Sequence, residues 1–232
     1  MLAICKREFI ESFKGFKSII VIAIFLVTAY YSADFSNFLL SLDADFTSEE
    51  EQILHTFGIA ALIMVFGMLF VMGLSHDTVN REVHERTIRF LVTRTSRSSI
   101  IIGKFLGIAL FWVVCLLASF LIITIFVHEF DVTTFLQSTS LAIYYSAVTV
   151  LVSVLIKKPG FTMFLSVVVG IAFPIFNGWV TYTSNAWFSW MKYFLPFYYL
   201  DDLSLNYKLF VVLLLAGVLV MIALLVFRRR EC

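Results

Sequence analysis

Charge is scarce along this 232-residue chain, where Asp, Glu, Lys and Arg make up 14% of the residues. A soluble domain carries about 25%. The shortfall excludes an ordinary water-facing surface, because 61% of the residues are hydrophobic and 17% aromatic, more apolar area than one core can hide. Cysteine is rare too. Cys5, Cys115 and Cys232 form no C-x-x-C pair, which excludes a disulfide framework and a thiolate zinc site. His55, His76, His84 and His128 scatter over both sides of the topology derived below, so no metal site is expected.

Catalytic signatures are also missing. No G-x-x-x-x-G-K-[ST] is present, and neither Gly15-Phe-Lys-Ser nor Gly103-Lys-Phe-Leu has the spacing to cradle phosphates. There is no H-E-x-x-H in an apolar run and no G-x-S-x-G, so protease and acyltransferase chemistry lacks its residues. Asp, Glu, Lys and Arg, whose presence within a span is the usual mark of ion-coupled transport, are absent from the depth of every expected span. The net charge of +1 gives no overall pull on nucleic acid, and none is expected as a partner.

What the chain does have is length without charge. Runs free of ionisable Asp, Glu, Lys and Arg cover 18–33, 52–76, 105–128, 132–156, 159–191 and 209–227. A helix needs about 20 apolar residues to cross the hydrocarbon layer. These runs predict spans at about 18–34, 53–75, 103–127, 135–156, 160–181 and 208–227, within a single membrane domain over 1–232. The fifth run is too long for one crossing, so an aromatic segment after Thr181 is expected at the interface or dipping into it. The first run lacks a small-residue cleavage site and is expected to be an uncleaved span.

Six crossings place fifteen of the seventeen bases on one side, and ten of the sixteen acids on the other. Excess Lys and Arg marks the cytoplasmic face, so both termini are expected there, in a plasma membrane, most simply a bacterial inner one. The fold class predicted is all-α integral membrane: six transmembrane helices, an N-terminal amphipathic interface helix, and a short cytoplasmic helix between spans two and three.

Two stretches at the basic side carry the pattern of amphipathic helices. Leu2, Cys5, Phe9, Phe13 and Phe16 recur at spacings of three and four, with Lys6, Arg7, Glu11, Lys14 and Lys17 on the other side. Such a helix suits the headgroup layer, its bases toward anionic lipid. In the loop 76–99, Val79, Val83, Thr87, Phe90 and Leu91 share one helical face. Glu82–Arg86 and Glu85–Arg89 stand at i,i+4 in the favourable order. That face needs a cover, either a partner protein or lipid and the protein's own helix ends.

Here the chain resembles a family. "KREFIESFKGFKS" (6–18) resembles the N-terminal interface helix of type-2 ABC exporter permeases. "NREVHERTIRFLVTRTSRSSIIIGKFLG" (80–107) is similar to their segment between spans two and three, with Glu82, Glu85, Thr87, Ile88, Leu91, Ser96, Arg97, Gly103 and Lys104 matching and Arg86 standing where the family usually has glycine. "KYFLPFYYLDDL" (192–203) resembles the Pro-containing external segment before the last span.

The resemblance implies a transporter half without its own ATPase. A second permease, identical or homologous, would pair with it, and a separate ATP-binding subunit, carrying ATP and Mg, would grip a coupling helix. Glu82, Val83, Glu85, Arg86, Thr87, Phe90 and Leu91 are the residues to which that role transfers. Lys6, Arg7, Phe9, Phe13, Lys14 and Lys17 would form the interface helix against the bilayer. Polar groups within spans are few: Thr28, Ser119, Thr124, Ser146, Thr149, Ser153, Ser166 and Asn177. Ser146, Thr149, Ser153 and Asn177 are the candidates for lining a path, although small hydroxyls commonly bond their own helix. Hydroxyls and aromatics suit an amphiphilic cargo such as a peptide, drug or lipid. The reading from a different class is a non-transporting polytopic scaffold or sensor whose cytoplasmic helix binds a signalling partner.

Overall fold

The computed structural model describes residues 1–42, 48–87, 95–183, 186–200 and 208–229. The described residues form helices, with no strand among them. In chain order these are α1 (Leu2–Lys14), α2 (Phe16–Leu42), α3 (Ser48–Ser75), α4 (Asn80–His84), α5 (Arg97–Val127), α6 (Val132–Leu155), α7 (Pro159–Tyr182), α8 (Ala186–Ser189), a 3-10 turn (Trp190–Phe194), α9 (Phe197–Leu200) and α10 (Lys208–Arg229). Six of them, α2, α3, α5, α6, α7 and α10, are long and apolar enough to cross a membrane. The six expected spans are all present.

The helices outrun the expected spans because charge marks where hydrocarbon ends, not where a backbone ladder ends. Thus α2 continues past Asp34 to Leu42, and α5 begins at Arg97 rather than 103. With 31 residues, α5 is roughly 46 Å long, well beyond the ~30 Å of hydrocarbon. Local chemistry sets the ends. Ser96 caps α5 by accepting from the Ser99 amide at 3.2 Å. Asp131 caps α6 by accepting from the Thr134 amide at 3.0 Å. Pro159 opens α7 at a position where its missing N–H is not needed.

α3 and α6 form the middle of the bundle. α6 packs on α3, α5 and α10, while α3 also meets α2 and α7. The central place of α6 shows in its burial: it is the most enclosed of the six long helices, and α7 the least. Trp112, Tyr145, Phe25, Phe111 and Phe120 are among the largest side chains wholly enclosed.

After α7 the aromatic segment turns back along the bundle. The Tyr144 hydroxyl donates to the Phe194 carbonyl at 3.3 Å, and Tyr144 lies twelve residues inside α6, about 18 Å from its start. Lys192 sits 5.4 and 5.1 Å from the ring centres of Tyr193 and Tyr198, within cation–π range.

Candidate functional site at the basic face

The ends of the helices that carry most of the bases converge around one lysine. Lys104 is 1% exposed, and its ammonium lies 2.6 Å from Glu8 Oε1 and 3.0 Å from Glu82 Oε1. Three separate elements, α1, α4 and α5, thereby meet at a single charge. Around it Arg7 Nη2 approaches Glu82 Oε1 at 3.5 Å, and Arg7 Nε bonds Glu11 at 2.9 Å. Arg81 spans Asp77 at 3.5 Å and Glu11 at 4.0 Å. Burial pushes the Glu8 carboxyl above its ordinary range, and the Lys104 charge and hydrogen bond pull against that rise. The bond from Glu11 holds the Arg7 guanidinium in its charged form still more firmly.

Close approach of α1 to α5 brings these groups together. A Cβ on Gly103 would stand 3.0 Å from Ile4 Cβ, and one on Gly107 would stand 2.6 Å from Glu8 Cβ and 2.9 Å from the Cys5 carbonyl. Gly103-x-x-x-Gly107 is thus the saddle on which α1 lies. Phe13 completes the contact, edge-on to Phe111 at 4.8 Å between ring centres.

This changes the expected face of the N-terminal helix. Cys5 and Glu8 are buried, Phe9 and Phe13 pack on the core, and Leu2 and Phe16, expected on the same stripe, are exposed. Arg7 is exposed, as are Lys6, Lys14 and Lys17, and it bonds Glu11 while approaching Glu82. The physical reason is that the stripe covers protein, not lipid alone.

The segment after α3 also departs from expectation. The helix predicted over 79–91 stops at His84, and the pair Glu82–Arg86 does not form. Arg86 has a φ of 59°, the left-handed conformation that ends a helix and suits glycine. That is the position at which the resembling family carries glycine. Glu82 is drawn instead into the Lys104 cluster, and Val83 packs against the core. Glu85, Arg86 and Thr87 are exposed. Phe90 and Leu91, like the expected partner Arg89 of Glu85, lie outside the described residues.

Backbone bonds fix α4 against the bundle. The Ser153 hydroxyl accepts from the amides of Val79 and Asn80 at 3.0 and 3.2 Å, and the Asn80 side chain donates to Thr162 Oγ1 at 2.9 Å. α4 is therefore tied to the end of α6 and the start of α7.

Of the other polar residues expected to line a path, Ser146 and Thr149 donate to the carbonyls of Ala142 and Tyr145 in their own helix, both at 2.8 Å. Asn177 is fully buried, and both polar atoms of its amide lack a partner among the described residues. No group of His, Cys, Asp and Glu suited to a metal occurs among the described residues.

Sequence reasoning missed Glu8 and Lys104 as a pair. The available signal was a carboxylate three residues after Cys5 on the stripe that faces inward, together with a lysine placed between two glycines four apart.

Six helices able to cross a membrane, with a short helix and a buried ionic junction at their ends, are the architecture of a polytopic membrane protein. The family signature described as ABC-2 family transporter protein matches residues 2–232, essentially the whole chain, and the protein belongs to that family, the membrane subunits of ABC-2 type transporters. Membership implies an ATP-binding subunit as partner. No curated protein matches the chain.

Proposed function

We propose that this chain is the permease subunit of an ATP-binding cassette exporter, pairs with a second permease, identical or homologous, and carries an amphiphilic substrate such as a peptide, drug or lipid out of the cell. It lies in the plasma membrane with both termini in the cytoplasm. ATP and Mg are held by a separate ATPase subunit, which docks on the exposed side of the segment after α3. Glu85, Arg86 and Thr87, with Phe90 and Leu91 beyond them, meet that subunit, while Glu82 and Val83 hold the segment from within. Asn177, whose buried amide has no hydrogen-bond partner among the described residues, meets the substrate only when the helices around it part.

The observation that carries this reading is the Glu8–Lys104–Glu82 junction. A push on α4 passes through Glu82 to the start of α5 and to α1, because separating buried opposite charges costs several kcal/mol. One docking event thereby moves a transmembrane helix and the N-terminal helix together.

Gentle extraction of a tagged chain should bring down an ATPase whose hydrolysis depends on it. Phe90→Ser with Leu91→Ser should abolish that dependence. An ATPase that still co-purifies with undiminished stimulated turnover would place the docking surface elsewhere, and thiol labelling near Arg89 from outside the cell would reverse the orientation.

A further inference from the structure

Two cavities at the basic face lie side by side and share part of their walls. The first, about 690 Å³, opens where Gly15 breaks the chain between α1 and α2, and Ser12, Lys14, Lys17, Ser18, Leu74 and Phe111 are among its walls. The second, about 220 Å³, is an apolar groove between α2, α3 and α7, walled by Val21, Phe70, Gly73, Leu74, Met163 and Val167. Lys17 and Leu74 line both. The groove begins within two turns of the ends of these three helices, the depth at which lipid headgroups give way to acyl chains.

Charge selects the occupant. Three carboxylates also face the larger cavity, and each is engaged: Glu8 by Lys104, Glu11 by Arg7 and Arg81, Asp77 by Arg81. Lys14 and Lys17 make no ion pair among the described residues, and both are exposed. The cluster thus shares three bases among four carboxylates, Glu82 included, and Lys14 and Lys17 add two ammonium groups outside it, three residues apart across Gly15, beside Ser12 and Ser18. Gly73 leaves its part of the groove open, since nothing lies within 4 Å of where its Cβ would be.

We propose that this double cavity binds one anionic glycerophospholipid per chain. The phosphate sits between Lys14 and Lys17, the hydroxyls of a glycerol headgroup meet Ser12 and Ser18, and an acyl chain lies in the groove between α2, α3 and α7. A zwitterionic headgroup fits less well because its ammonium would find every carboxylate already paired.

Native mass spectrometry of the full chain in detergent, with phosphatidylglycerol or phosphatidylcholine added, tests the site. Phosphatidylglycerol should bind preferentially, and Lys14→Gln/Lys17→Gln should weaken it at least about tenfold, given the attraction of each base for anionic lipid. Lys157→Gln/Lys158→Gln removes the same charge from exposed positions on the same face and should leave binding unchanged. Gly73→Leu, which fills the groove, should weaken the lipid but not glycerol 3-phosphate. Equal retention by the Lys14/Lys17 variant and wild type would overturn the proposal. So would glycerol 3-phosphate binding as tightly as the lipid, or a cysteine at Val167 that readily cross-links to its counterpart, since the groove would then belong to a second copy.

Discussion

The Lys104 ammonium and the Glu8 carboxylate meet at 2.6 Å across 96 positions of sequence, pinning the N-terminal helix to the third crossing. Both groups are largely withdrawn from water: Lys104 is 1% exposed and Glu8 9%. The arrangement is a junction rather than a surface bridge, because Glu82 from α4 shares the same ammonium.

Lys104→Met should destabilise the protein by about 3–5 kcal/mol, since it leaves the buried Glu8 carboxylate without its cation and Glu82 with only the longer contact to Arg7. Adding Glu8→Leu and Glu82→Gln to that variant should restore most of the loss, because the uncompensated charge disappears with them. Thermal melting in detergent reads both effects. A single variant that melts like wild type would show that the cluster is hydrated and weak.

Gly107→Ala places a Cβ where Glu8 Cβ and the Cys5 carbonyl already stand. Overpacking of this kind costs about 1–3 kcal/mol, and here it should lift α1 off α5. Cys5, now 7% exposed, should then react faster with a maleimide. Gly160→Ala, where the space is open, should leave the Cys5 rate unchanged.

Arg86→Gly should stabilise the turn after α4, because a residue with a Cβ pays about 1–2 kcal/mol for the left-handed conformation. Arg86→Val should do the reverse, since β-branched side chains tolerate positive φ least. Melting temperatures that order Gly above Arg above Val confirm the strain at φ 59°; identical values refute it.

The raised Glu8 pKa has a definite consequence for pH. A carboxyl that holds its proton more tightly when folded contributes most stability below its ordinary value of 4.5, and that contribution declines as pH rises through the elevated value. The advantage of wild type over Glu8→Gln should therefore shrink as pH is raised across this interval. Melting curves at successive pH values check it, and parallel pH slopes for the two proteins would exclude the effect.

Much of the architecture follows from local composition. A run of about 20 uncharged residues can satisfy its backbone in lipid only as a helix, so 105–128 and 132–156 had to become α5 and α6. The aromatic stretch after Thr181 was legible because it outlasts one crossing. The exposed lysines 6, 14 and 17 followed from periodicity alone. At the candidate site, periodicity located the segment after α3 but misjudged its course. It paired Glu82 with Arg86 along one helix, whereas tertiary packing offered Glu82 a buried ammonium and turned Arg86 out of the helix.

The sequence alone determined that this chain lives in lipid, crosses it six times and gathers its bases on one face, because hydrophobicity and charge act residue by residue. Tertiary structure alone decided that Glu8, Glu82 and Lys104 share one buried point, that Ser153 accepts from the amides of α4, and that Lys14 and Lys17 make no ion pair among the described residues. Those outcomes depend on which distant helices touch, and an ion pair spanning 96 residues leaves no periodic trace in the sequence that makes it.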